Sequence, residues 1–366
     1  MMHLLEVCEV LKHFEIPSFP VEAKPCGNGN INSTFWVKCE DGNEYLVQKV
    51  NTYVFKKPYE LMENIHNVTK HLADKIQARG GDFERGTLNF IQSDNGKFCY
   101  HDHENNAFWR IYHYISGSVA YDSADKPGLL REAARAFGKF QRHLEDYPAE
   151  TLYETIPNFH HTVARYEAFE ASVAADAAAR AASVGAEIET LRKFSPYASL
   201  IVDGLADGTL PTRVTHNDTK LNNVLFDEAT DKCLCVIDLD TVMPGSLLCD
   251  FGDAIRFAAN NTAEDDPDLS KVFLRLDLYE EYVSGFFAGL KGAITEKEIS
   301  LLPESALILT YELALRFMTD YLDGDKYFKL KYPEHNLVRA RAQLRLCEDI
   351  ESKLPAMREI VAKYAK

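Results

Sequence analysis

Between two short apolar runs lies the polar block His216-Asn217-Asp218-Thr219-Lys220-Leu221-Asn222-Asn223, and fifteen residues after Asn223 a second apolar stretch, Cys233-Leu234-Cys235-Val236-Ile237, ends on Asp238. Runs such as Arg213-Val214-Thr215 and Val224-Leu225-Phe226 read as short strands that the fold must bury while their polar ends stay accessible. A polar loop with a capping Asp and a turn-forming Asn pair would also give the block. Its spacing, His-x-Asp-x-Lys-x-x-Asn followed by a strand-end Asp, favours a chemical site.

The residue types suit phosphoryl transfer, where positioning and charge neutralisation do most of the catalysis. Asp218 can accept a hydrogen bond from an acceptor hydroxyl and take its proton, so it is the expected catalytic base. Lys220, two positions on, can place positive charge beside the transferred group; the competing reading is a surface lysine. Asn223 and Asp238 offer hard oxygen ligands suited to Mg2+, which keeps waters and nucleotide phosphates as its other ligands. ATP and Mg2+ are therefore the expected cofactors. His216 reads as a brace of the loop rather than a proton carrier.

The chain changes character along its 366 residues. Residues 33–39 and 44–50 are β-rich and flank the turn Asp41-Gly42-Asn43, which predicts a hairpin. Leu61, Ile65, Val68, Leu72 and Ile76 make one face of a helix over 60–78, and strands are expected at 87–92, 97–101 and 107–115. From Leu129 helical periodicity dominates, over 129–144, 160–187, 188–204, 269–290 and 303–322, with the Ala-rich 171–187 read as a plain helix. The expected division is a sheet-rich domain over 1–116 and a mostly helical one over 117–366 carrying the catalytic loops and the acceptor site.

Forty basic against 56 acidic residues leave a formal charge of −16, which repels nucleic acid and anionic lipid. No apolar run approaches 18 residues, and acids interrupt the amino-terminal stretch, so neither a membrane span nor a secretory signal is expected. Eight cysteines without a Cys-x-x-Cys pair fit a reducing cytoplasm better than a disulfide scaffold or a metal-thiolate site. The expected partners are a nucleotide and a small-molecule substrate.

The His-x-Asp-x4-Asn loop ahead of an Ile-Asp strand end resembles the aminoglycoside phosphotransferase and choline kinase superfamily, relatives of protein kinases. The resemblance implies a two-lobed α+β kinase-like fold, with a five-stranded sheet and one helix in the small lobe and ATP between the lobes. Pro244-Gly245 and Asp250-Phe251-Gly252-Asp253 follow closely, leaving no room for a long activation segment, so a small-molecule acceptor is expected rather than a protein. The likeness further implies a second Mg2+ ligand at Asp240 and a structural brace at Asp250.

Pro25-x-Gly27-x-Gly29-x-Ile31-Asn32, Ile237-Asp238-Leu239-Asp240-Thr241, Met243-Pro244-Gly245-Ser246 and the 331–339 block resemble the N-acetylhexosamine 1-kinase family more narrowly. That resemblance implies transfer of the γ-phosphoryl of ATP to the anomeric hydroxyl of N-acetylglucosamine or N-acetylgalactosamine. It implies sugar contacts at Arg316, Tyr327 and Phe257, and at Asn30, where the family pattern can carry His. Arg316 also has Glu312 and Asp320 four residues to either side, the arrangement of an ordinary helix ion-pair ladder. Gly27, Gly29 and Asn32 are expected at the nucleotide, in a glycine-rich turn whose amides approach phosphates; a simple turn has the same composition. Lys49, with Glu63 as partner, is the candidate for the phosphate-binding lysine of a kinase third strand, although hexosamine kinases often have Gln there; an exposed lysine is the competing reading. Other readings are another small-molecule kinase, for a hexose, amino alcohol or aminoglycoside, and a catalytically silent nucleotide-binding regulator.

Overall fold

The computed structural model describes residues 2–27 and 31–365. In chain order the elements are α1 (Met2–Leu11), β1 (Pro20–Pro25), β2 (Ser33–Cys39), β3 (Glu44–Val50), α2 (Pro58–Ala78), α3 (Phe83–Gly86), β4 (Tyr100–Asp102), β5 (Ala107–His113) and β6 (Ser118–Val119). They continue with α4 (Leu129–His143), α5 (Thr162–Ala175), α6 (Gly185–Lys193), α7 (Ser199–Ala206), β7 (Arg213–Thr215), β8 (Val224–Asp227), β9 (Cys233–Val236), β10 (Met243–Gly245), α8 (Leu247–Ala258), α9 (Leu276–Leu290), α10 (Glu296–Leu322) and α11 (His335–Tyr364). The chain divides into two compact units, 1–120 with 150–157 and 224–243, and 121–149 with 158–223 and 244–366.

The first unit is built on a five-stranded antiparallel sheet in the order β1-β2-β3-β5-β4. Strand alternation sorts its side chains. Phe35, Val37, Tyr45, Val47, Trp109 and Ile111 form one buried cluster with Val7, Val10, Leu11 and Phe14, so α1, which the sequence reading did not anticipate, covers that face. Helix α2 starts with Pro58 in its first turn and buries Leu61, Ile65, Val68, Leu72 and Ile76, the stripe read from the sequence. The expected strand at 87–92 is instead non-helical chain that follows the short helix α3, tied to the sheet by Ile91 N–H to Ile111 O (2.8 Å) and a bridge from Phe90 to Tyr112. A second sheet, β6-β8-β9, leads into the turn at Asp238.

The second unit is helical. Helix α10, 27 residues long, begins with a capping box of Thr295 and Glu298, and Glu298 also receives Arg213 Nε (2.6 Å). Helices α8 and α10 cross with backbones in contact: a Cβ on Gly252 would lie 2.4 Å from Ser305 O. The Ala-rich stretch is not one helix. Asp176 turns left-handed (φ 39°), and its carboxylate accepts from Arg180 N (2.7 Å) and Ala181 N (2.9 Å), ending α5 at Ala175 by offering the backbone a local alternative. Among the described residues no helix is long and apolar enough to cross a membrane.

Candidate active site

In the second unit the loop after β7 is organised by Asp250 at the start of α8, 1% exposed. Its carboxylate accepts from His216 N (3.0 Å), Asn217 N (2.7 Å) and Gln141 Nε2 (2.8 Å), while its carbonyl accepts from Thr219 Oγ1 (2.6 Å). Asn217 is left-handed (φ 64°), and it and His216 aim successive N–H groups at one carboxylate. Burial raises the Asp250 pKa, against the lowering effect of His216 and of these donors. The His216 ring is fully buried, edge-on to Phe137 and Phe140, and its Nδ1 accepts from Asp218 N (3.2 Å).

Asp218, Lys220 and Asn223 come together on this loop. Lys220 Nζ lies 2.5 Å from Asp218 Oδ1, and Asn223 Nδ2 donates to both Asp218 O (2.8 Å) and Oδ2 (3.1 Å). Burial works against the Lys220 ammonium, but Asp218 and then Asp253 outweigh it and leave its pKa above the ordinary lysine value. The group is thus a half-buried carboxylate with a cation beside one oxygen and an amide donor on the other.

The first unit holds the Asp238 turn. Asp238 is left-handed (φ 58°) and exposed, whereas Asp240, two residues on, is 3% exposed. Asp240 Oδ1 accepts from Arg110 Nη1 (2.5 Å) and Oδ2 from Asn32 Nδ2 (2.6 Å). Gln48 Oε1 accepts from Arg110 Nε (2.9 Å), and Asn32 Oδ1 accepts from Asn51 N (2.9 Å). Gly27 is left-handed (φ 81°), as a tight turn requires. Gly29 and Asn30 lie outside the described residues.

Lys49 is not paired with Glu63. Parity puts it on the α1 face with Tyr45 and Val47, where its Nζ lies 3.8 Å from Glu6 and 5.4 Å from the Trp109 ring centre. Glu63 instead accepts from Tyr153 OH (3.4 Å). Gln48 occupies the opposite face, against Arg110 of β5.

Taken each in its own unit, the exposed carboxylate of Asp238 and the amide oxygen of Asn223 are donors of the hard type Mg2+ takes. Both oxygens of Asp240 accept from protein donors, Arg110 and Asn32. Among the described residues no cluster of three or more His, Cys, Asp or Glu forms a metal cage. That is compatible with Mg2+, which draws most of its ligands from phosphates and water.

A separate cavity in the second unit has about 250 Å³ open to water and is lined by Arg165, Arg316, Asp320, Asp323, Tyr327 and Phe328 among others. Arg316 lies 5.9 Å from the Tyr327 ring and 5.5 Å from Phe328. The helix ladder does not form, because both acids turn elsewhere. Glu312 binds His160 Nδ1 and Thr162 Oγ1, each at 2.8 Å. Asp320 accepts from Lys326 N, Tyr327 N, Phe328 N and Asn336 Nδ2 at 2.7–2.9 Å, fixing the loop that carries Tyr327. Phe257, 44% exposed at the end of α8, is not among the cavity's lining residues. Arg256 pairs with Asp253 (2.8 Å) and Glu264 (2.9 Å). Arg110, Gln141, Arg165 and the anchoring role of Asp320 were not foreseen; only Gln48 carried a signal, its parity opposite to the core-facing Tyr45 and Val47.

A sheet-rich unit and a helical unit of this composition define a two-lobed kinase-like α+β fold. Residues 22–284 match the phosphotransferase enzyme family, and the chain belongs to it. An aminoglycoside phosphotransferase from Alicyclobacillus acidocaldarius superposes with a TM-score of 0.64 at 13% identity, covering 97% of this chain and 96% of that one. A microcompartment-associated aminopropanol kinase gives 0.60 at 15% identity over 97% and 98%. A choline/ethanolamine kinase family protein from Mesorhizobium loti gives 0.55 at 15% over 100% and 99%. At these identities the likeness is one of fold. Family membership makes the chain a phosphotransferase with a small-molecule acceptor.

Proposed function

We propose that this protein is an ATP- and Mg2+-dependent sugar 1-kinase of the cytoplasm, transferring the γ-phosphoryl group to the anomeric hydroxyl of an N-acetylhexosamine. The observation that carries phosphoryl transfer is the Asp218–Lys220–Asn223 group on a loop held by Asp250. Asp218 accepts the hydroxyl proton as the acceptor oxygen bonds to phosphorus and the bond to the leaving ADP oxygen breaks. Lys220 then steadies the negative charge on the transferred group. Asn223 and Asp238 are the residues that would hold Mg2+, which neutralises triphosphate charge when bound.

The sugar acceptor rests on the resemblance of the sequence blocks and on the meeting of Arg316 and Tyr327 at one cavity. A guanidinium offers donors to ring hydroxyls and an acyl oxygen, and a tyrosine ring suits the apolar face of a pyranose. A second reading, an amino alcohol or aminoglycoside acceptor, draws on Asp323 in the same lining and on the aminopropanol and choline/ethanolamine kinases that share the fold. The eight cysteines, none in a Cys-x-x-Cys pair, suit a reducing compartment.

Phosphorus NMR of products from a panel of acceptors tests the proposal. A glycosyl phosphate from N-acetylhexosamines is expected, and Arg316→Ala should raise the acceptor KM about tenfold with the ATP KM unchanged. A phosphate ester of amino alcohols alone would transfer the assignment to the second reading.

A further inference from the structure

Asp240 and Asp238 sit two residues apart in contrasting surroundings. The first is buried with both carboxylate oxygens engaged, and the second is exposed. Arg110, the partner of Asp240, is itself 3% exposed. Its other contacts are Gln48 Oε1 and, at 3.7 Å, the sulfur of Met62, neither of which carries charge. Burial lowers the Arg110 pKa, and Asp240 more than restores it, leaving the pKa raised. Removing Asp240 would leave Arg110 a buried charge without its hydrogen-bonded counter-ion, the costly half of a broken pair. The carboxylate also reaches beyond the sheet. Asn32, just before β2, donates to it and through Oδ1 holds Asn51 N after β3.

We infer that Asp240 is a positioning residue and not a ligand of a second Mg2+: it ties the segment entering β2, through Asn32, and strand β5, through Arg110, to the turn that presents Asp238. This rests on the kinase reading, and it departs from the role that family resemblance gives Asp240. The hydrogen bonds carry a consequence for nucleotide binding, since loosening Asn32 from Asp240 detaches the segment entering β2 from the Asp238 turn without touching either Asp238 or Asp218.

The test counts bound Mn2+ by electron paramagnetic resonance on the full chain with a non-hydrolysable ATP analogue. Asp240→Asn should bind as many Mn2+ ions as the wild type, and Asp238→Asn fewer. Asn32→Ala should keep that count and raise the ATP KM about fivefold. Loss of one bound Mn2+ in Asp240→Asn, or an unchanged ATP KM in Asn32→Ala, overturns the inference. Melting temperatures give a second measure: Arg110→Met should lower Tm by about 10 °C, and Arg110→Met/Asp240→Asn should recover part of it. Additive losses overturn the inference even if the wild type binds no Mn2+ with nucleotide, an outcome that by itself defeats the kinase reading.

Discussion

Asn223 donates through a single amide nitrogen to both the carbonyl and the carboxylate of Asp218, so one side chain fixes the backbone and the orientation of the candidate base together. The carboxylate therefore has little rotational freedom to lose when an acceptor arrives.

Asp218→Asn removes the proton acceptor while keeping shape. Turnover should fall about a thousandfold with nucleotide affinity unchanged by calorimetry; activity near the wild-type level would exclude Asp218 as the base.

Asp250→Ala strips a buried acceptor from His216 N–H, Asn217 N–H and the Gln141 amide. Urea denaturation should register a loss of about 3 kcal/mol, and activity should fall with it because the loop loses its anchor.

His160 provides a pH signature. Burial opposes its charge, but Glu312 at 2.8 Å, with Asp253 adding and Arg316 opposing, raises its pKa above the ordinary 6.5. A raised folded pKa gives stabilisation that is fully present below the unfolded value and lost as pH climbs through the folded one. Stability should thus decline by up to about 1.4 kcal/mol per pH unit above neutrality, and His160→Gln should flatten that slope. An unaltered slope in the variant would place its origin in another group.

Lys49→Ala should leave the ATP KM within about twofold of the wild type, because the side chain lies on the α1 face beside Glu6 and Trp109. A tenfold rise would restore it to the nucleotide site.

Sequence made the meeting of Asp218, Lys220 and Asn223 legible because they sit within six residues and their contacts with one another are local. The α2 stripe was legible for the same reason, since helical periodicity repeats within a few residues. Long-range partners were not. Nothing near Asp240 announces Arg110, 130 positions earlier, and nothing near Arg316 says that its neighbouring acids are diverted to His160 and to the backbone of 326–328. Lys49 was misjudged by one step of parity, which in a strand is the difference between opposite faces. The amino-terminal helix escaped notice because its weakly patterned residues gain their stability from the sheet they cover.

Gly252 stands two residues beyond Asp250, at the crossing where α8 rests on the carbonyl of Ser305. The smallest possible addition there, a methyl group, would wedge the two helices apart and tilt the carboxylate away from the N–H groups of His216 and Asn217. A residue with no side chain thereby sets the alignment of the loop that carries the candidate base.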